Sequence, residues 1–155
     1  MAQPCDNPAL ANAVAVVRAG ESLWALPDGT LWWPTARTLF VADLHLGRAA
    51  ARRAFGLVSP EGSDAADLAR LTRQLAALEP AQVVFLGDFL HAPSGLDAAV
   101  RARLDAFFGD HPGVTFRLIE GNHDRRARGF LQSFPALRWH GQPVVEEPFW
   151  LAHEP

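Results

Sequence analysis

The sequence contains no lysine: all 14 of its basic residues are arginine. That excludes P-loop nucleotide chemistry, Schiff-base catalysis and Ser–Lys nucleophiles together. One cysteine, Cys5, is too few for an internal disulfide or a cysteine zinc cage. No basic segment opens the chain, and its early Ala/Val run is short and broken by Arg18. Neither a signal peptide nor a membrane span is therefore expected, and the cytoplasm is the expected location. A net charge of −3 gives no general attraction for nucleic acid, although a local basic patch is compatible with it. What is there is 49% hydrophobic and 20% charged over 155 residues, which suits one soluble domain spanning 1–155.

Hydrophobic patterning predicts the elements. Residues 13–17 read as a strand. Residues 22–26 and 30–33 read as a hairpin about Pro27-Asp28-Gly29, where proline presets φ and glycine accepts positive φ. Trp24, Trp32 and Trp33 are expected in the core or covering a sheet. Apolar runs at 38–42, 82–86 and 114–119 read as buried strands, with further strands at 137–140 and 149–152. A short helix is expected over 48–55, followed by a loop at 56–62. Ser63 is expected to cap a helix carrying Leu68, Leu71, Leu75 and Leu78 inward, which Pro80 ends. Ser94 is expected to cap another reaching Phe108, with Leu96, Val100, Leu104 and Phe107 inward. Strand–helix alternation in the middle predicts an α/β layered fold with parallel pairing.

Chemistry collects where the apolar runs stop. Asp43 and His45, Asp88, Asn122-His123-Asp124, and His153 each follow one. Alternation along an extended strand would point Asp43 and His45 the same way. In an open α/β sheet, the carboxyl ends of the strands are where ligands bind. A lone Asp or His after a strand means little, but four coincident endings point to one site. Carboxylate, imidazole and amide ligands without thiolate favour Mn²⁺, Fe²⁺, Zn²⁺ or Mg²⁺. The set is too large for one tetrahedral zinc and fits a two-metal site, with Asp88 the candidate bridge between the two ligand groups.

Asp43-x-His45, Gly87-Asp88 and Gly121-Asn122-His123-Asp124, spaced by 45 and 34 residues, resemble the signature blocks of calcineurin-like metallophosphoesterases. More closely, residues 22–29 and 43–47 and the ending Leu151-Ala-His-Glu-Pro155 resemble the DNA-ligase-associated metallophosphoesterases. The resemblance implies an αββα sandwich of two mixed sheets and a cofactor of two divalent ions, Mn²⁺ first. It implies that Asp43 and His45 bind one ion, Asn122 and His153 the other, and Asp88 both. His123 would stand beside the scissile phosphate as general acid or charge stabiliser, and a metal-bridging hydroxide would attack in line. Arg48 is a candidate phosphate clamp and Asn122 a candidate substrate contact; a solvent-facing helix position is the competing reading for Arg48.

Two departures from the family pattern bear on the expectations. Where many relatives carry an Asp three residues after the bridging Asp, this chain has His91, so Asp124 or His91 is left to orient His123. A terminal Gly-His-x-His block is absent before Pro155. A domain incomplete at its C-terminus, weakened metal affinity, low turnover, and an uncovered sheet edge able to dimerise or aggregate are therefore expected. The leading expectation is a metal-dependent phosphodiesterase or nuclease in DNA repair. Its expected partners are DNA, a DNA ligase and associated repair enzymes, with no membrane. Arg48, Arg52, Arg53, Arg125, Arg126 and Arg128 follow two of the blocks and could grip a phosphate backbone. The alternatives are a phosphomonoesterase, a hydrolase of nucleotides or lipid pyrophosphates, and an inactive binding module.

Overall fold

The computed structural model of the chain describes residues 7–58 and 62–154; Pro4, Cys5, Pro155 and part of the loop expected at 56–62 lie outside them. Among the described residues the order is β1 (Val14–Arg18), β2 (Glu21–Ala25), β3 (Thr30–Trp33), β4 (Thr38–Val41), α1 (Arg48–Ala54), α2 (Ser63–Leu78), β5 (Gln82–Leu86), α3 (Ala98–Gly109), β6 (Thr115–Ile119), α4 (Arg128–Leu131), β7 (Leu137–His140), β8 (Val144–Glu146) and β9 (Phe149–Leu151). No helix among them is long and apolar enough to cross a membrane.

Strands β1 to β7 form one mixed sheet in sequence order. The first four are antiparallel neighbours, as short connections allow. From β4 to β7 the pairing is parallel, each connection carrying a helix over the same face. The runs at β4 and β5 are mostly apolar because both of their faces are covered, while β6 carries Arg117, paired with Glu146 of β8. Leu39, Val41, Val83, Phe85, Phe116 and Leu118 face α2 and α3, meeting Leu68, Leu71, Leu75, Leu78, Val100, Leu104 and Phe107. Phe40, Val84 and Ile119 face the other way, against Leu151, Val144 and Phe149 of the antiparallel ribbon β8–β9. Among the described residues, that ribbon is what represents the second sheet. Trp32 and Trp33 are buried and Trp24 half-buried, as expected for core and cover.

Three local expectations need correction. Ser94 does not cap α3: residues Pro93–Gly95 form a 3-10 turn, and the Asp97 carboxylate accepts the Val100 N–H at 2.8 Å to start the helix. The turn is pinned by Gly95, whose backbone lies against that of Gly47; a Cβ on Gly95 would fall 2.2 Å from the Gly47 oxygen. Ser63 is the first residue of α2 rather than its cap, which is Gly62 at φ 88°. Strand β8 was unforeseen, because three residues are too few for a periodic signal.

Candidate metal centre

Strands β4, β5 and β6 run parallel, so the turns leaving their C-terminal ends meet at one edge. The first two turns are zipped together by their backbones. His45 N–H donates to Asp88 O at 2.8 Å, Leu46 N–H to Phe89 O at 2.9 Å, and His91 N–H to Leu46 O at 2.9 Å. The third turn closes on them through Gly121, where a Cβ would lie 2.3 Å from the Asp88 nitrogen.

Asp43 and His45 do converge, but not by strand alternation. Both lie beyond β4 with positive φ, 53° and 49°, and Asp88 has φ 48°. Left-handed backbone costs a non-glycine residue about 1–2 kcal/mol, least for Asp, Asn and His. Three such residues in one place mark a conformation held for the site rather than for the fold. The outcome is that one ligand atom each from Asp43, His45 and Asp88 lie within 4.8 Å of one another.

Asp88, almost buried, is the centre of the arrangement. Its Oδ2 lies 3.7 Å from His45 Nε2 and 3.9 Å from His123 Nε2, and its Oδ1 lies 3.5 Å from His153 Nε2. Oδ1 also accepts the His123 backbone N–H at 3.1 Å. The two carboxylate oxygens thus face different imidazoles. His153 reaches this point from beyond β9 because Gly87 leaves room: a Cβ there would sit 2.3 Å from the imidazole ring.

Partner atoms fix two tautomers. His153 Nδ1 is 2.9 Å from the Leu86 carbonyl oxygen, which can only accept, so Nδ1 carries a proton and Nε2 is the nitrogen turned to the centre. His123 Nδ1 likewise donates to the His91 carbonyl oxygen, leaving Nε2 at the site. The backbone of His91, not an Asp side chain, is therefore what orients His123. The His91 ring stacks on that of His123 at 5.4 Å, and its ligand atoms fall within the same 4.8 Å span as His45 and His123. Burial lowers the pKa of His45, against the pull of Asp88, and burial with the neighbouring His45 lowers that of His91. Both imidazoles are held toward the neutral form that donates a lone pair.

Asp124 is placed differently from the expectation that it acts on His123. It is fully buried, and its oxygens accept N–H bonds from Leu90 at 3.0 Å, Gly121 at 3.1 Å and Phe89 at 3.4 Å. It ties the third turn to the second. Burial raises its pKa despite these bonds. Asn122 is exposed and lines a cleft of about 280 Å³ with His91, Ala92, Pro93, His123 and Arg126. Arg48 is exposed at the start of α1, close enough to His45 and His91 to disfavour their protonation.

Sequence reading missed Glu120. Its carboxylate, 5% exposed, binds Arg125 Nε at 2.9 Å and Arg128 NH2 at 2.6 Å, and Arg128 also lies over the Trp139 ring. Nothing in the spacing signals this, because Glu120 lies just beyond β6 while Arg125 sits on the following 3-10 turn and Arg128 at the start of α4. Two of the three arginines in that run thereby share one carboxylate, which fixes both and offsets one of their two charges.

The donor set fits divalent metal ions. The Asp88 carboxylate and the imidazoles of His45, His123 and His153 stand 3.5 to 3.9 Å apart, beyond ordinary hydrogen bonds, so they gather without satisfying one another. His45 Nδ1 is buried with no hydrogen-bond partner, as is His91 Nδ1. Hard O and N donors in this number suit Mn²⁺, Fe²⁺, Zn²⁺ or Mg²⁺.

Comparison with known proteins agrees with this geometry. The calcineurin-like phosphoesterase family model matches residues 36–152. Among solved structures, the crystal structure of Pseudomonas putida nuclease MPE is similar, with a TM-score of 0.77 and 36% sequence identity over 88% of this chain. The match covers 64% of that protein's chain. No curated protein matches the sequence.

Proposed function

Because the chain belongs to the calcineurin-like phosphoesterase family, we propose that it is a divalent-metal-dependent phosphodiesterase acting on nucleic acid. The observation that carries this reading is Asp88, whose two oxygens face His45 on one side and His153 on the other. A carboxylate so placed suits bridging two ions. In the proposal Asp43 and His45 hold one ion, Asn122 and His153 the second, and Mn²⁺ is the first choice of metal. Bound there, the ions would lower the pKa of water and neutralise phosphoryl oxygens.

The chain's own groups supply the rest. His123, half-exposed and fixed through the His91 carbonyl, presents Nε2 to a substrate oxygen; with both nitrogens protonated it would protonate the leaving group or stabilise developing charge. Arg48 offers a fixed positive charge at the rim for a phosphate oxygen. The nucleic-acid part rests on the likeness to a solved nuclease at 36% identity. The subfamily resemblance of residues 22–29 and 43–47 extends the proposal to DNA repair alongside a DNA ligase.

Hydrolysis of bis-p-nitrophenyl phosphate and of single-stranded DNA, with millimolar Mn²⁺, tests this. The reading predicts diester cleavage above that of Asp88→Asn, and faster than cleavage of p-nitrophenyl phosphate. Cleavage confined to the monoester, or equal in both proteins, overturns it.

A further inference from the structure

The arginine run after the third ligand turn is not one patch. Arg125 and Arg128 are both held by Glu120, at 2.9 and 2.6 Å. Arg126, between them, is exposed and has no carboxylate partner among the described residues. It lines the cleft of about 280 Å³ that it shares with His91, Asn122 and His123. In the 3-10 turn Asp124–Ala127, Asp124 and Ala127 are buried, and with three residues per turn Arg125 and Arg126 leave it about a third of a turn apart. Asp124 anchors that turn to the backbone of the second loop, so the base of Arg126 is fixed relative to His123.

The cleft therefore has a phosphate-handling histidine on one wall and an unneutralised guanidinium on another. At about 280 Å³ it falls just short of the roughly 300 Å³ at which drug-sized sites begin, a size that suits one sugar–phosphate unit and no more. A guanidinium binds a phosphate bidentately and carries full charge at any working pH.

We propose that Arg126 is a substrate-binding residue for the phosphate adjacent to the one cleaved, giving the site a preference for a phosphodiester within a chain. This rests on the phosphodiesterase reading. It goes further by naming which arginine grips the strand and which neighbours do not.

The test separates the two. Binding of a fluorescein-labelled single-stranded tetranucleotide is followed by anisotropy, and binding of inorganic phosphate by calorimetry, for the wild type, Arg126→Ala, Arg126→Lys and Arg125→Ala. Arg126→Ala is expected to weaken tetranucleotide binding roughly 10- to 100-fold, the size of a charge-assisted contact. Phosphate binding should change by less than about two-fold, because a single phosphate has no adjacent neighbour to lose. Arg126→Lys should recover part of the loss, and the salt slope should fall by about one in Arg126→Ala. Arg125→Ala removes the same charge and should leave the tetranucleotide within about two-fold, because Glu120 already holds that guanidinium.

Equal losses in Arg125→Ala and Arg126→Ala would overturn the proposal in favour of general electrostatics. Equal losses for phosphate and tetranucleotide, no loss at all, or a wild type that binds no tetranucleotide would also overturn it. Arg126-dependent binding without cleavage of any phosphodiester would sink the phosphodiesterase reading and leave the subsite standing.

Discussion

Replacing Asp124 is the sharpest probe of how the centre is assembled. The residue is fully buried, and its carboxylate receives two well-formed N–H bonds, from Leu90 at 3.0 Å and Gly121 at 3.1 Å, and a marginal third from Phe89 at 3.4 Å. In Asp124→Ala these donors stay buried without an acceptor. Each stranded donor costs about 1–3 kcal/mol, so the two good bonds alone represent roughly 2–6 kcal/mol. Removing a carboxylate whose ionisation burial opposes returns part of this. We expect a net loss of about 3 kcal/mol, or a fall in Tm of roughly 6–12 °C for a domain of this size. Asp124→Asn keeps one carbonyl oxygen but turns an NH₂ toward the second donor, so about half the loss is expected. Urea and thermal unfolding of the metal-free chain would measure both. An Asp124→Ala midpoint equal to the wild type would refute the reasoning. Lost turnover with an unchanged midpoint would give Asp124 a chemical role instead.

Further outcomes follow from the same geometry. Gly87→Ala should displace the His153 ring, which lies 2.3 Å from the new Cβ, and weaken Mn²⁺ binding in calorimetry; Gly29→Ala, with the same positive φ but open space, should cost only about 1 kcal/mol of stability and leave metal binding alone. The His140 pKa is lowered by burial and then by Arg117 and Arg138, so its contribution to stability is present above its unfolded value and is lost as pH falls through the folded one. The Tm should therefore fall from pH 7.5 toward pH 5, and His140→Gln should flatten part of that slope; an unchanged slope would contradict the assignment.

The buried strands were legible because each is a mostly apolar run ending in a polar cluster, β6 despite Arg117 at its middle. Residues 38–42 and 82–86 match β4 and β5 within a residue, and α2 carries all four expected leucines inward. The helix start at Asp97 was hidden because Ser94 is an equally good cap by type; the deciding fact is the Gly95–Gly47 backbone contact, which is tertiary. The ligand set was readable as residue types at strand ends, yet the reason for its convergence was not. Extended alternation was expected for Asp43 and His45, whereas left-handed turns and a backbone zipper to the Asp88 loop bring them in. Orientation of His123 by a carbonyl oxygen leaves no trace in sequence, since every residue has one. The pairing of Arg125 and Arg128 with the one Glu120 carboxylate depends on where a strand ends against a turn, which charge counting does not capture.

The central claim is that Asp88 joins two groups of ligands into a single centre for divalent cations. Anomalous scattering from crystals soaked in millimolar Mn²⁺ tests it most directly. The account predicts two peaks flanking Asp88, one bounded by Asp43 and His45, the other by Asn122 and His153. A map with no peak at Asp88, or with Mn²⁺ bound only elsewhere, would contradict it.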